Sequence, residues 1–289
     1  MKKYLTMDIG GTFIKYGILD QDFYEEEAHS IPTQKDPDLF LGQLLQIIEE
    51  TKNGISGIAI SMGGFIDPGT GFNSDYSVGN NFKKYNLKET LNIKTGLMVS
   101  VENDSNCAAL AELKLGAGRN CKDFCLMTIG TGIGGAVIHN RELQRGKNYK
   151  AGEFGFMMLG RKNTSDGESC YSANATSVLV KRVSSVIGHP VDGDFVFDHL
   201  EEAMVNKIYE EWLEDLAIVV GNVAVCFDPE KVLIGGGIST RERFIRDLRD
   251  RVYQIFRPLE QYTTIEACSL GNNAGKIGAL INFLDQYGR

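Results

Sequence analysis

The chain opens on an apolar run, Tyr4-Leu5-Thr6-Met7, which enters Asp8-Ile9-Gly10-Gly11-Thr12 and leaves through a second run, Phe13-Ile14-Lys15-Tyr16-Gly17-Ile18-Leu19. Paired glycines between two apolar runs predict a strand, a turn and a strand. Across 37–51 the period changes: Leu41, Leu44, Leu45 and Ile48 recur at helical spacing, which predicts an amphipathic helix. Residues 55–61 are apolar without alternation, as in a buried strand. They run into a glycine-rich loop, Met62-Gly63-Gly64-Phe65-Ile66-Asp67-Pro68. A further strand at 97–101 leads into Glu102-Asn103-Asp104-Ser105-Asn106, and the Ala- and Leu-rich stretch 107–115 reads as helix.

Near residue 120 the pattern restarts. An apolar strand at 123–129 enters Gly130-Thr131-Gly132-Ile133-Gly134-Gly135, and a second strand follows at 136–139. This repeats the layout of 4–19 and points to an internal duplication. After a loop-rich stretch at 140–166, helical patterns occupy 173–187 and 201–227. Val232-Leu233-Ile234 is a short strand closing on Gly235-Gly236-Gly237, and 241–256, 264–269 and 274–286 read as helix, strand and helix. Alternating strands and helices give an α/β class. The length of 289 residues allows two domains, with the restart as their boundary.

Composition narrows the function classes. Hydrophobic residues make up 43%, and no run approaches the ~18 apolar residues of a membrane span. With no secretory leader pattern at the start, a cytoplasmic location is expected. The net charge of −8 argues against a nucleic-acid binder, which needs a basic face. It leaves room for a nucleotide held by backbone N–H groups and Mg²⁺. Of the six cysteines only Cys121 and Cys125 are close together, and no histidine is near them, so reduced thiols are expected rather than a zinc site.

Three glycine-rich turns follow apolar strands: at Gly10-Gly11-Thr12, at 130–135 and at 235–237. Glycine lets the backbone approach a charged group, and successive N–H groups in such turns form anion-binding concavities. Each turn alone is an ordinary hairpin turn. Three in one chain, two of them with threonine, point to phosphate. Gly130-x-Gly132-x-x-Gly135 fits the dinucleotide fingerprint in spelling, but a β-like run, Ala136-Val137-Ile138, follows where that fingerprint needs a helix. The G-x-x-x-x-G-K-[ST] pattern of P-loop enzymes is absent.

Two carboxylates stand out. Asp104 lies between a buried strand and a helix, where a carboxylate serves as a general base for an alcohol or as a helix N-cap; the two readings stand side by side. Asp8 precedes the first glycine turn, which suits a Mg²⁺ ligand, direct or through water, or a turn residue bonding its own backbone. Lys15, in the following strand, neutralises phosphate or is a solvated strand residue.

These segments together resemble the ROK family (repressor, open reading frame, kinase) of sugar kinases, within the superfamily of actin, hexokinase and heat-shock-protein ATPases. Asp8-Ile9-Gly10-Gly11-Thr12-x-Ile14-Lys15 is similar to the family's first phosphate motif, and Asn103-Asp104-x-Asn106-x-Ala108-Ala109-Leu110-Ala111-Glu112 to its catalytic motif. Residues 128–135 resemble the second phosphate motif and 233–238 the adenosine-side motif. The resemblance implies a two-domain actin-like ATPase (ribonuclease H-like) fold with an interdomain cleft. Its N-terminal domain would span 1–118, completed by a C-terminal helix at 272–289, and its second domain 119–271. ATP and Mg²⁺ would be the cofactors, held by Asp8, Gly10, Gly11, Thr12, Lys15, Thr131, Gly132, Gly236 and Gly237. Asp104 would take the proton from a sugar hydroxyl, O6. The sugar would be held by Asn81, Asn103, Asp104 and Glu153, with Gly64 in the loop 61–65; a homodimer is implied as well.

The chain departs from the family at the sugar. Gly152-Glu153-Phe154-Gly155-Phe156 resembles the E-x-G-H segment with Phe156 in place of the histidine. Of the zinc segment C-x-C-G-x-x-G-C-x-E only Cys170 remains, and Ser172 aligns with the last sugar-binding Glu. No structural zinc is therefore expected. An aromatic ring and a short hydroxyl at the anomeric side favour a β-glucoside or a 2-acetamido sugar such as N-acetylmannosamine over free glucose; equally, Tyr171 or Asn174 takes over the lost contacts. The rival functions are a non-catalytic sugar sensor, a transcriptional regulator and an acetate or glycerol phosphotransferase. Loss of Asp104 would mark the sensor. The regulator needs an N-terminal helix-turn-helix extension, for which the early Asp8 motif leaves no room. Asn103-Asp104-x-Asn106 argues for the sugar branch over the third.

Overall fold

The computed structural model describes residues 1–75, 85–158 and 174–288. The chain divides into two compact units: Met1–Lys114 with Arg145–Lys150 and Asn272–Arg289, and Leu115–Gln144 with Ala151–Gly271.

In the first unit β1 (Lys3–Ile9) pairs antiparallel with β2 (Phe13–Asp20), which pairs antiparallel with β3 (Glu25–Pro32). On the other side β4 (Ile55–Met62) runs parallel to β1, and β5 (Val99–Asn103) parallel to β4, in the order β3-β2-β1-β4-β5. Helix α1 (Pro37–Thr51) starts where Pro37 fixes φ and the Asp36 carboxylate accepts the N–H groups of Asp38 and Leu39. It buries Phe40, Leu41, Leu44, Ile47 and Ile48, each stabilising by roughly 1.5–3 kcal/mol relative to exposure. Helices α2 (Leu87–Thr95) and α3 (Asp104–Lys114) follow. In the second unit β6 (Phe124–Ile129), β7 (Ile133–His139), β8 (Glu142–Leu143), β9 (Lys231–Gly235) and β10 (Thr264–Ala267) form a sheet in the order β10-β9-β6-β7-β8. It carries α4 (Thr176–Ile187), α5 (Gly193–Asp198), α6 (Ala203–Phe227) and α7 (Glu242–Ile255) around a core that includes Trp212, Tyr209 and Phe244.

The last helix, α8 (Ala274–Tyr287), belongs to the first unit and lies directly on α3. A Cβ on Gly278 would stand 1.7 Å from the Cys107 carbonyl oxygen, so only glycine permits that approach.

The two sheets share one plan. Each has a central strand, β1 or β6, with two antiparallel strands on one side and two parallel strands on the other. The duplication read from the repeated strand–turn–strand pattern therefore extends to the whole sheet.

Some elements differ from expectation. Asp8 does not follow the first strand but is its penultimate residue, because β1 pairs with β2 as far as Ile9↔Ile14. Helix α3 begins at Asp104, not at 107, because the Asn103 side chain caps it there. The edge strand β3 was not foreseen, since Glu25-Glu26-Glu27 offers no apolar run. Helices α2 and α5 were missed as well. They are short and bury only Leu87 and Leu91 in the first case and Val196 in the second.

Candidate active site

In the first unit the site is built where strands end. Asn103 closes β5, and both ends of its side chain are engaged. Oδ1 accepts the Asn106 N–H at 3.0 Å, the capping bond of α3, while Nδ2 donates to the Gly64 carbonyl at 3.0 Å. The capping function left open for Asp104 thus falls to Asn103. Asp104 is the first residue of α3; its Oδ1 accepts the Ser105 N–H at 2.8 Å, and a Cβ on Gly63 would lie 3.7 Å from Oδ2. The residue is open to solvent, yet protein crowds it enough that desolvation raises its carboxyl pKa above the ordinary value. The negative charge of Asp8 adds to the rise, and hydrogen bonds from Ser105 oppose it.

The loop beside Asp104 is pinned from behind. Gly64 has φ +106°, and a Cβ there would meet the Asn73 side chain at 2.4 Å. Asn73 is buried, donates to the Gly63 carbonyl at 3.0 Å and accepts the Asp75 N–H at 3.0 Å.

Asp8 sits on one row of the sheet with Lys15 across in β2 and Ser61 across in β4. Side chains directly opposite in a sheet share a face. The Ser61 hydroxyl donates to Asp8 Oδ1 at 2.9 Å. A Cβ on Gly275, in the first turn of α8, would stand 2.8 Å from the Asp8 carboxyl, so the acid packs on that turn. Desolvation raises its pKa; the Ser61 hydrogen bond, then Lys15 and Lys276, lower it. Beyond Asp8 the turn residues Gly10, Gly11 and Thr12 are exposed. The turn is held by the Thr33 hydroxyl on the Gly10 carbonyl at 2.8 Å, by the Thr33 N–H on the Thr12 carbonyl at 2.9 Å, and by Lys35 Nζ on the Gly11 carbonyl.

In the second unit the other two glycine turns meet. Gly236 has φ +89°, and a Cβ on it would reach the Ile129 carbonyl oxygen at 2.1 Å. A cavity of about 580 Å³ opens between them, lined by Gly130 and Thr131 from one turn and Gly237 and Ile238 from the other. That volume lies within the range of small-molecule sites. The Ser177 hydroxyl donates to the Thr131 carbonyl at 2.8 Å. On the wall, the Arg241 guanidinium stands 4.7 Å from the Phe197 ring centre and pairs with Asp194. A cation stacked on an aromatic ring gives a flat polar surface of the kind a nucleobase uses.

Glu153 precedes a single 3₁₀ turn, Phe154–Phe156, and is half-buried. Phe154 is buried, whereas Phe156 and Met158 are each 60% exposed. Asn81, Cys170, Tyr171 and Ser172 lie outside the described residues. Among the described residues there is no group of three or more His, Cys, Asp or Glu that could hold a metal.

The residues singled out by sequence therefore fall into local groups. In the first unit Asp8, Gly10, Gly11, Thr12 and Lys15 gather at one turn, and Gly64, Asn103 and Asp104 at another. In the second unit Thr131 and Gly237 line the cavity, while Gly132 and Gly236 belong to the same two turns without lining it. Asn73, Thr33 and Glu102 were missed as contributors, and Ser61, expected only as part of the sugar-side loop 61–65, hydrogen-bonds Asp8. Each acts through a partner at least ten residues away or from inside a strand, and no local pattern marks such a residue.

A family model described as the ROK family matches residues 4–286. A curated beta-glucoside kinase of Listeria monocytogenes is 34% identical over 297 residues, covering 99% of this chain and 99% of its own. One from Klebsiella pneumoniae is 35% identical over 295 residues, covering 99% and 97%. Among solved structures, a ROK family protein of Streptococcus pneumoniae crystallised in complex with sucrose is 30% identical with a TM-score of 0.88, covering 99% of each chain.

Proposed function

This chain belongs to the ROK family and has the actin-like ATPase fold, and on that premise we propose that it transfers the γ-phosphoryl group of ATP to O6 of a hexose-type sugar, a β-glucoside above others. The observation that carries the reading is a pair of carboxylates in one unit with separate surroundings. Asp104 heads α3 beside the Gly63–Gly64 turn, and Asp8 ends β1 at the first glycine turn. On this reading one handles an alcohol and the other a phosphate-bound cation.

In the proposed reaction the sugar is held by Asn81, Asn103, Glu153 and the loop at Gly64. Asp104 accepts the proton of the attacking hydroxyl. The new O–P bond forms as the bond from the γ-phosphorus to the bridging oxygen breaks, and ADP leaves with that oxygen's electrons. A base works best with a pKa near the working pH, and both desolvation and Asp8 move Asp104 in that direction. The N–H groups of the glycine turns, with Lys15, offset the charge that develops on the phosphates. Mg²⁺ suits Asp8: Ser61 occupies one carboxylate oxygen, and this ion is commonly held by one or two carboxylates with water and phosphate completing its shell. When bound it would neutralise phosphate charge. The adenosine end fits the cavity between the second and third glycine turns, against Arg241.

The β-glucoside preference follows from Phe156 and Met158. Both are exposed apolar groups within five residues of Glu153, and they suit an aglycone better than a free anomeric hydroxyl. N-acetylmannosamine and glucose are the next candidates. The reading also takes the protein as a cytoplasmic homodimer, in line with the symmetry of most soluble oligomers. The test is coupled ADP release with Mg·ATP across cellobiose, glucose, N-acetylmannosamine, mannose and fructose. Turnover fastest with cellobiose supports the full reading. Turnover fastest with glucose keeps the kinase and removes the aglycone argument. No sugar-dependent turnover favours a sensor.

A further inference from the structure

One buried carboxylate lies outside the chemistry above. Glu102, the residue before Asn103 on β5, is 1% exposed, and both its oxygens are engaged. Oε1 accepts the Asn103 N–H at 2.9 Å and Asn106 Nδ2 at 2.9 Å. Oε2 accepts Arg145 Nε at 2.6 Å. Arg145 donates again through Nη2 to Asn282 Oδ1 of α8, at 3.1 Å. A carboxylate is stable at such a depth only when paired and hydrogen-bonded, and these donors meet that condition. The pair lies 43 residues apart in sequence, so nothing local to the chain accounts for it.

The segment Arg145–Lys150 has a peculiar place in the fold. It packs with the first unit, although the chain before and after it belongs to the second. Besides the Arg145–Asn282 bond, further contacts hold it there. Arg145 is on Glu102, Tyr149 faces the Asp67 carboxylate, whose charge raises its pKa, and Lys150 Nζ stands 4.7 Å from the Phe65 ring centre. Asp67 and Phe65 belong to the loop that carries Gly64. Glu102 is the penultimate residue of β5, two before Asp104, and accepts the Asn103 N–H. Three residues beyond Lys150 comes Glu153.

We propose that Glu102 and Arg145 are positioning residues, a buried ion pair that fixes the Asn103–Asp104 turn and, through residues 145–150, the run of chain into Glu153. The inference rests on the kinase reading. Neither residue touches the reacting atoms. Glu102 orients Asn103 and Asn106, and so sets where α3 begins and where Asp104 stands. Arg145 ties that turn to the segment leading into the sugar-side Glu153. A shift of about 1 Å in a catalytic group lowers turnover by as much as 100-fold.

The test compares wild type with Glu102→Gln, Arg145→Met, Arg145→Lys and the double variant Glu102→Gln/Arg145→Met, in ADP release with melting temperature beside it. Expected are a kcat lower by about 10- to 100-fold and a raised sugar KM in both single variants, with the KM for ATP unchanged. The double variant should be no worse than either single one, and Arg145→Lys should recover part of the loss. Wild-type kcat and sugar KM alongside a lowered melting temperature, or additive losses, would overturn the proposal. Should the Gln and Met variants fail to fold, Arg145→Lys decides, because it keeps the charge and loses the two-nitrogen fork: a raised sugar KM supports the proposal, a wild-type one overturns it. Hydrogen exchange reads the pair independently of activity. In Arg145→Met, peptides across 99–114 and 145–153 should exchange faster together, and unchanged exchange would count against the pair. A wild type without sugar-dependent turnover would instead overturn the kinase reading, with the exchange result still deciding on the pair.

Discussion

Replacing Asp104 by Asn should pull catalysis and stability in opposite directions. Asn has nearly the same shape and keeps an acceptor oxygen for the Ser105 N–H, now 2.8 Å away, but it cannot take a proton from the sugar. A positioned general base contributes about 10²- to 10⁴-fold, so kcat should fall by that factor while sugar KM stays near its wild-type value. For folding the sign reverses. The Asp104 pKa is raised above its model-compound value of 3.8, by desolvation first and by Asp8 second. The folded chain therefore holds this proton more tightly than the unfolded chain. Stability from this group falls as pH rises from the unfolded pKa through the folded one, and above that window the carboxylate opposes folding. At neutral pH the Asn variant should melt at the same temperature as wild type or higher. The difference should close below about pH 4, where both side chains are neutral. ADP release and thermal melts at the two pH values give both readings. A variant with wild-type kcat removes Asp104 from the chemistry. A variant that melts lower at neutral pH shows that the carboxylate supports the fold, and the desolvation argument fails.

Further expectations concern the nucleotide and the packing of helices. The acid limb of kcat/KM should lie above the ordinary aspartate range, because Asp104 must lose its proton to act; a limb at or below that range would contradict the raised pKa. Arg241→Ala removes the guanidinium over Phe197 from the cavity wall and should raise the KM for ATP by about two- to fivefold, on the ~0.5–1 kcal/mol of a partly exposed stacked guanidinium, with kcat little changed. An unchanged KM would take the cavity out of nucleotide binding. Gly278→Ala should destabilise by about 1–3 kcal/mol or more, since its Cβ would overlap the Cys107 carbonyl and push α8 off α3. Gly42→Ala, within α1 with nothing near its Cβ, should stabilise by about 0.5–1 kcal/mol, and denaturant midpoints measure both.

What could be read from the sequence has a physical pattern. The glycine turns were visible because a backbone that must approach a neighbour or adopt positive φ leaves few residue choices, as at Gly236 against the Ile129 carbonyl. The role split between Asn103 and Asp104 was not visible. Both residue types cap helices, and the choice is made by a contact 39 residues away, where Asn103 Nδ2 holds the Gly64 carbonyl. Glu102 was hidden for a related reason. The sequence pattern puts it at the start of the segment after a strand at 97–101, whereas it lies inside β5, and its partner Arg145 is 43 residues away. Strand β3 escaped because an exposed edge has no need of the apolar pattern that betrays buried strands.

The duplication explains more than the number of glycine turns. The hairpins β1–β2 and β6–β7 occupy matching places in sheets of the same plan, and Ile9-Gly10 corresponds to Ile129-Gly130. One row before the turn, the first hairpin pairs Asp8 with Lys15, where the second pairs Thr128 with Gly134. The backbone device is therefore duplicated and the charge is not. A nucleotide triphosphate is itself asymmetric, with a cation-bound, reacting end and an uncharged nucleoside end. A first turn flanked by an acid and a lysine suits the former. A second turn without charges, opening into a cavity walled by Arg241 and Phe197, suits the latter. Each hairpin keeps the backbone device within its own unit, and only the first adds the charged row. On the proposed reading Asp8 would serve the cation rather than the shape of the turn, since Thr128 occupies the matching place in a turn that folds without a carboxylate.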